Sequence, residues 1–216
     1  MPEKIRILIV DDHTVVRYGL RLMLEQKPEF EVVEEASSGQ EAIDLADRLK
    51  PDVILMDLLM PGMSGLEAIT RICQSRPETH ILVLTSFSKD DDLIAAIKAG
   101  ATGYLIKDSS PSELVRAIHQ VHEGTFSFTA DFTRRLVLEL RAAPKKAQPK
   151  ANLTGREVSV LRLAANGKSN AEIAAALFIT EGTVRFHFSN ILHKLELPSR
   201  TQAVLFALRT GLADLN

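Results

Sequence analysis

The sequence predicts an α/β fold, a doubly wound five-stranded parallel sheet, followed by a small all-α domain of four helices with a helix-turn-helix. Three observations lead there. Over the first ~125 residues, short continuous apolar runs alternate with amphipathic stretches, the pattern of strands buried on both faces and their covering helices. Residues 142–151 (Ala-Ala-Pro-Lys-Lys-Ala-Gln-Pro-Lys-Ala) hold two prolines and no apolar period, which reads as a linker. Beyond it come four helix-start signals and no strand-like run.

The five runs are Ile5–Val10, Glu31–Ala36, Val53–Met56, Ile81–Leu84 and Tyr104–Ile106. Between them, Ser38-Gly-Gln-Glu41, Ser64-Gly-Leu-Glu67 and Ser110-Pro-Ser-Glu113 fit capping boxes, the last with proline at the first helical position. A sixth helix is expected from about Ala130 to Arg141. In the second part, Thr154-Gly-Arg-Glu157, Ser169-Asn-Ala-Glu172 and Ser199-Arg-Thr-Gln202 repeat the capping signal, Thr180 is an N-cap and Gly167 a helix end. The expected division is 1–125, a linker segment 126–151, and 152–216.

The 216 residues, 45% apolar and 25% charged, suit an ordinary two-domain chain. No apolar run approaches the ~18 residues of a membrane span, and the start shows no signal peptide, so a cytoplasmic location is expected. One cysteine, Cys73, excludes a cysteine metal cluster and reads as a small buried hydrophobe. The net charge of −2 divides into −7 over 1–143 and +5 over 144–216, an asymmetry that points to nucleic acid at the C-terminal end.

The chemistry stands where the strands end. The first run ends in Asp11-Asp12, the third at Asp57, the fourth in Thr85-Ser86 and the fifth at Lys107. Open parallel sheets bind ligands outside their carboxyl ends, where strand order reverses. If the first and third strands are neighbours, three carboxylates converge there, and a hard divalent cation such as Mg²⁺ is the natural partner. A carboxylate beside Mg²⁺ can accept a phosphoryl group, whose oxygens then need Lys107 and the Thr85 hydroxyl.

Residues 4–124 resemble the receiver of two-component response regulators, through Ile-Leu-Ile-Val-Asp-Asp-His (7–13), Pro-Asp-Val-Ile-Leu-Met-Asp-Leu-Leu-Met-Pro-Gly-Met-Ser-Gly (51–65), Leu-Thr-Ser (84–86) and Gly-Tyr-Leu-Ile-Lys-Asp (103–108). The resemblance implies a flavodoxin-like fold and phosphorylation of Asp57 by a sensor histidine kinase. It also implies Mg²⁺ on Asp12, Asp57 and the backbone carbonyl of Leu59, with Asp11 acting through water, and Thr85 with Tyr104 as a switch pair. Leu59 and Phe87 are apolar where other receivers often carry polar groups, which suggests slow self-dephosphorylation.

In the second domain, Phe188, Ile191 and Leu195 fall within about 40° of Val184 on a helix, a core stripe. The opposite face carries Gly182, Arg185, Phe186, Ser189, Asn190 and His193, suited to a major groove. Arg185 can read guanine, Asn190 adenine, and Phe186 a thymine methyl. Lys168, Thr180, Thr183 and His187 suit phosphates. An exposed Phe186 could instead meet a protein surface, including the first domain.

Residues 152–212 resemble the LuxR-type helix-turn-helix of the NarL/FixJ regulators, through Leu-Thr-Gly-Arg-Glu (153–157), Gly-Lys-Ser-Asn-Ala-Glu-Ile-Ala (167–174) and Thr-Val-Arg-Phe-His-Phe-Ser-Asn-Ile-Leu-His-Lys-Leu (183–195). The resemblance implies double-stranded DNA with two half-sites, a homodimer when phosphorylated, and a last helix that dimerises, with Val204 and Leu208 as candidate contacts or core residues.

Rival chemistries fit less well. A phosphatase with an aspartate nucleophile needs a second acid where Leu59 stands, and Gly167-Lys168-Ser169 lacks the upstream glycine of a P-loop. The expected protein is therefore not an enzyme beyond self-phosphorylation and self-dephosphorylation. The alternatives kept open are a receiver acting without phosphorylation and an output domain that binds a protein.

Overall fold

The computed structural model describes residues 4–86, 90–126 and 153–213; the expected sixth helix, the linker and Phe87 lie outside them. Strands β1 (Ile5–Val10), β2 (Phe30–Ala36), β3 (Val53–Asp57), β4 (His80–Thr85) and β5 (Gly103–Ile106) alternate with helices α1 (Thr14–Glu25), α2 (Gly39–Leu49), α3 (Gly65–Ser75), α4 (Asp90–Ala99) and α5 (Pro111–His122). All neighbours in the sheet are parallel, in the order β2-β1-β3-β4-β5. The order reverses between β1 and β3, so the strand ends carrying Asp11-Asp12 and Asp57 do lie side by side. Each strand was read from sequence to within a residue or two of its ends. β3 runs one residue further because Asp57 still pairs with Leu84 of β4.

Alternate strand residues face opposite sides, and each side has its own core. Leu8, Val10, Ile54, Met56, Ile81 and Val83 pack with α2 and α3, and Ile7, Ile9, Val53, Leu55, Leu82 and Leu84 with α1 and α5. Cys73 is buried in the first core, where burial pushes its thiol up to about 12, as inert as its composition suggested.

Ser38 and Ser64 accept the backbone N–H three residues on, but among the described residues of this domain only Ser110 completes a reciprocal box. Glu41 turns instead to the Ser37 backbone N–H, and Glu67 to Arg71.

The second body has four helices, α6 (Gly155–Ala165), α7 (Asn170–Leu177), α8 (Glu181–Leu195) and α9 (Arg200–Thr210). Thr154 and Ser169 complete capping boxes, and Thr180 caps α8. Gly167, at φ 76°, follows the end of α6 as expected. Val184, Phe188, Ile191 and Leu195 are buried against Val160, Leu161 and Ile173, so the stripe read from α8 is the core. Val204 is also buried in this core.

Glu157, buried at the start of α6, is held by Lys194 Nζ at 2.8 Å from both its carboxylate oxygens. Burial opposes the charge of Glu157, but Lys194 and the Thr154 backbone hold its pKa below the usual carboxylate range. A depressed folded pKa gives stability that is present above the unfolded value of 4.5 and lost as pH falls through the folded value. Lys194→Ala leaves this carboxylate buried and unpaired. Because Lys194 itself is 36% exposed, the expected loss is about 1–3 kcal/mol, less than for a fully buried pair, measured by urea unfolding at neutral pH.

Candidate functional site

β1 and β3 bring Asp11, Asp12 and Asp57 together at the carboxyl edge of the sheet, with ligand atoms within 4.8 Å of one another and of His13. β5 delivers Lys107 to the same point. Its Nζ lies 2.6 Å from Asp11 Oδ2 and 3.0 Å from Asp57 Oδ2. Asp11 and Asp57 are almost wholly buried. Burial raises the pKa of Asp57, while Lys107 pulls it the other way. Burial also opposes the charge of Lys107, yet its hydrogen bonds to Asp11 and Asp57 hold its pKa above the usual lysine value.

Two features fit a divalent cation. Three carboxylates share one ammonium, which leaves excess negative charge in a partly dry site. Asp12 Oδ1 is buried without a well-aligned hydrogen-bond donor, the imidazole of the exposed His13 lying beside it. Leu59 is exposed beside this cluster, and its backbone N–H approaches Asp57 Oδ1 at 3.4 Å. Thr85 is buried at the end of β4, next to Asp57 in the ladder, and Tyr104 is half-buried on β5. His13 is the group that the sequence reading passed over. Its Nδ1 lies 2.7 Å from Asp12 Oδ1 and 3.2 Å from Asp11 Oδ1, and its place directly after the acid pair was the available signal.

On α8, Gly182, Arg185, Phe186, Ser189 and His193 are exposed, and Thr183, His187 and Asn190 half-exposed. The outer face is therefore the one expected. Phe186 is 63% exposed. Thr180 Oγ1 lies 2.9 Å from Thr183 Oγ1, and Lys168 pairs with Glu172 on the surface at 2.7 Å.

Residues 7–119 match the family of the response regulator receiver domain, and residues 151–207 that of the bacterial regulatory proteins of the luxR family. The chain is a LuxR-type response regulator. It is 45% identical to the transcriptional regulatory protein LiaR of Bacillus subtilis over 97% of this chain and 100% of that one. It is 43% identical to the response regulator protein VraR of Staphylococcus aureus over 96% and 98%. Among solved structures, the response regulator ChrA of a heme-sensing two-component system is 34% identical, with a TM-score of 0.52, over 97% of this chain and 98% of that one. RcsB, in a structure of two dimers bound to two parallel DNAs, is 29% identical with a TM-score of 0.55 over 94% and 96%. No helix among the described residues is long and apolar enough to cross a membrane.

In this regulator the two domains are docked. Leu205 of α9 is buried against Leu93 and Ile97 of α4, with Tyr104 and Leu208 packed around them. Thr201 Oγ1 donates to the Ala101 carbonyl at 3.1 Å, Gln202 Nε2 to the Lys98 carbonyl, and the Asn170 backbone N–H to the Glu123 carbonyl at 2.9 Å. Gly100 permits this approach: at φ 123°, an added Cβ would stand 3.0 Å from Ser199 Oγ and 2.7 Å from Cys73 Sγ. Arg185, Phe186 and Ser189 consequently look into a cleft of ≈ 600 Å³ closed on the far side by the receiver. Such a cleft has no room for a duplex, whose major groove alone is about 12 Å wide. Of the two residues proposed for dimerisation, Val204 is buried in the output-domain core, and Leu208 is partly buried against both that core and the seam with α4.

The loop after β3 returns so tightly that the Gly65 N–H bonds to the Leu58 carbonyl at 3.0 Å. A Cβ at Gly65 would fall 2.1 Å from the Asp57 carbonyl oxygen, backbone that cannot swing aside. Gly65→Ala is expected to displace the Asp57 backbone and cut phosphoryl uptake from a small acyl phosphate at least about tenfold. Rates measured beside wild type by gel retardation of the phosphorylated form check this, and wild-type uptake would contradict it.

Proposed function

We propose that this regulator receives a phosphoryl group on Asp57 from a sensor histidine kinase and thereby gains the dimeric form that binds operator DNA and controls transcription. The observation that carries the reading is the buried pair Asp11 and Asp57 sharing the Lys107 ammonium at the strand switch point. In the transfer step an Asp57 carboxylate oxygen forms a bond to phosphorus, and the phosphorus–nitrogen bond to the kinase imidazole breaks. Mg²⁺, when bound, neutralises the phosphoryl oxygens; Asp12, Asp57 and the Leu59 carbonyl would hold it, with Asp11 acting through water. Its place in the acidic cluster, partly open to solvent, suits Asp12 to that role.

Phosphorylation removes one charged oxygen from Asp57 and supplies others further out. Lys107 can follow them, and the Thr85 hydroxyl can donate to another. Movement of Thr85 opens the space toward which Tyr104 can turn. Tyr104 already packs in the cluster that holds α9 on α4. Its departure weakens the seam, so the charge change at Asp57 biases a two-state docking equilibrium toward release.

Once released, Arg185, Asn190 and Phe186 read base edges, and Lys168, Thr180, Thr183 and His187 contact phosphates, with Gly182, Ser189 and His193 completing the face. Release also frees Leu208 for a partner copy, whereas Val204 stays in the core. Two-fold pairing on two half-sites raises the local concentration of the second reading helix. The DNA-bound dimers of the similar RcsB support this assembly. The protein works in the cytoplasm as a phosphoryl acceptor, with self-phosphorylation from small donors as its own chemistry.

Incubation with Mg²⁺ and an acyl phosphate is expected to add one base-labile phosphoryl group and to strengthen operator binding. Asp57→Ala and Asp12→Ala should each abolish uptake, the first by removing the acceptor and the second the metal. Uptake by Asp57→Ala at the wild-type level would overturn the assignment.

Arg185→Ala is expected to cost about 1–3 kcal/mol at the operator and to flatten preference at one base position. Lys168→Ala should weaken all sequences alike and reduce the salt slope by about one. Titrations of the phosphorylated protein at several salt concentrations separate the two effects.

A further inference from the structure

The cleft between the domains holds a cation with no counter-ion. Arg200 is only 7% exposed. Its Nη1 donates to Asn170 Oδ1 at 2.7 Å and its Nη2 to the Lys168 carbonyl at 3.3 Å, and its plane lies 4.0 Å above the Phe188 ring. Its Nε is buried without a partner, and no carboxylate pairs with it among the described residues. Burial pushes its pKa down to about 9, a measure of how poorly the site neutralises it.

Other basic groups line the same cleft. Lys4, His80 and His122 approach from the receiver and Arg185 from α8. His80 is neutral there, pushed down to about 3 by burial and then by Arg200, His122 and Arg185. A neutral imidazole still offers a hydrogen-bond donor. Asp52 and Glu78 also line the cleft, and each already has a partner. Asp52 Oδ2 accepts the Arg6 backbone N–H at 2.8 Å, and Glu78 lies 3.5 Å from Arg76. Neither reaches Arg200.

We propose that this cleft is a binding site for a small anion carrying a diphosphate group, held by Arg200 and Arg185 from the output domain and by Lys4, His80 and His122 from the receiver. A volume of ≈ 600 Å³ suits a ligand of nucleotide size. The fork of Arg200 and the ammonium of Lys4 recognise phosphoryl oxygens, and the Phe186 ring at the rim can stack on a base. Because both domains contribute, the ligand binds only the docked arrangement and stabilises it by mass action. It also covers Arg185 and Ser189, so it competes with DNA. That last consequence rests on the DNA-binding reading above; the binding itself does not.

The test is isothermal titration of the full chain with inorganic pyrophosphate, and separately with a nucleoside diphosphate, with chelator present so that the acidic cluster holds no metal. Saturable binding of either probe with a dissociation constant below about 1 mM is expected. A nucleoside diphosphate binding about tenfold tighter assigns the base to Phe186, and equal affinities assign the site to the diphosphate alone. The double variant Lys4→Ala, His80→Gln should lose at least about tenfold in affinity. Both positions lie away from the phosphorylation residues, so uptake of phosphate on Asp57 reports that the variant is folded. Asp12→Ala should bind as wild type. Absence of saturable binding, or affinity unchanged in the double variant, would overturn the proposal. Competition is read separately: pyrophosphate should reduce operator binding beyond an ionic-strength control of chloride. Binding without competition leaves the site standing and removes only its link to DNA.

Discussion

Lys107 Nζ stands 2.6 Å from Asp11 and 3.0 Å from Asp57, and the arrangement of the receiver follows from keeping those three charges together out of water. Two carboxylates buried side by side repel, and burial already raises the pKa of Asp57. A single ammonium between them makes the site tolerable without neutralising it. The topology supplies this geometry, since β1 and β3 are neighbours only because the winding reverses there, and β5 must end one strand beyond β4 for Lys107 to arrive. The residual negative charge is what suits this cluster to a divalent cation.

The same constraint reaches the output domain. β4 ends in Thr85 and β5 carries Tyr104 and leads into Lys107, and Tyr104 packs against α4. α4 carries the other half of the seam, Leu93 and Ile97 against Leu205. This seam is small and partly polar, closed by Thr201 and Gln202 on backbone carbonyls. Domain contacts of that kind are the ones a few kcal/mol can open. The exposure of part of the outer face of α8 depends on that docking, whereas the core stripe and the Glu157–Lys194 pair hold the helix within its own domain.

Most of the fold was legible in the sequence because its signals are local. Continuous apolar runs ended in chemistry-bearing residues, and every Ser or Thr cap marked a helix start. Where the local rule was incomplete, a neighbour won: Glu41 and Glu67 left their boxes for Ser37 and Arg71, and Gln202 reached across to the receiver. The convergence of Asp11, Asp12, Asp57 and Lys107 was legible because strand order alone brings them together. His13 was readable in principle from its position. The docking was not readable. Arg200, His80 and His122 belong to different domains, and nothing in their local sequence announces that they share a cleft. The same holds for Leu208, whose half-apolar helix face fits a partner copy and the receiver equally well, and for Val204, where the core alternative proved to be its place.

The central claim is that charge placed on Asp57 undocks the output domain. Hydrogen–deuterium exchange on the full chain, with and without beryllofluoride and Mg²⁺ as a phosphoryl mimic, tests it most directly. The account predicts slower exchange around Asp57 together with faster exchange in α4, in α9 and at the Asn170 amide, which is bonded to the Glu123 carbonyl in the docked form. Protection of α4, α9 and Asn170 that stays unchanged while operator affinity rises would contradict it.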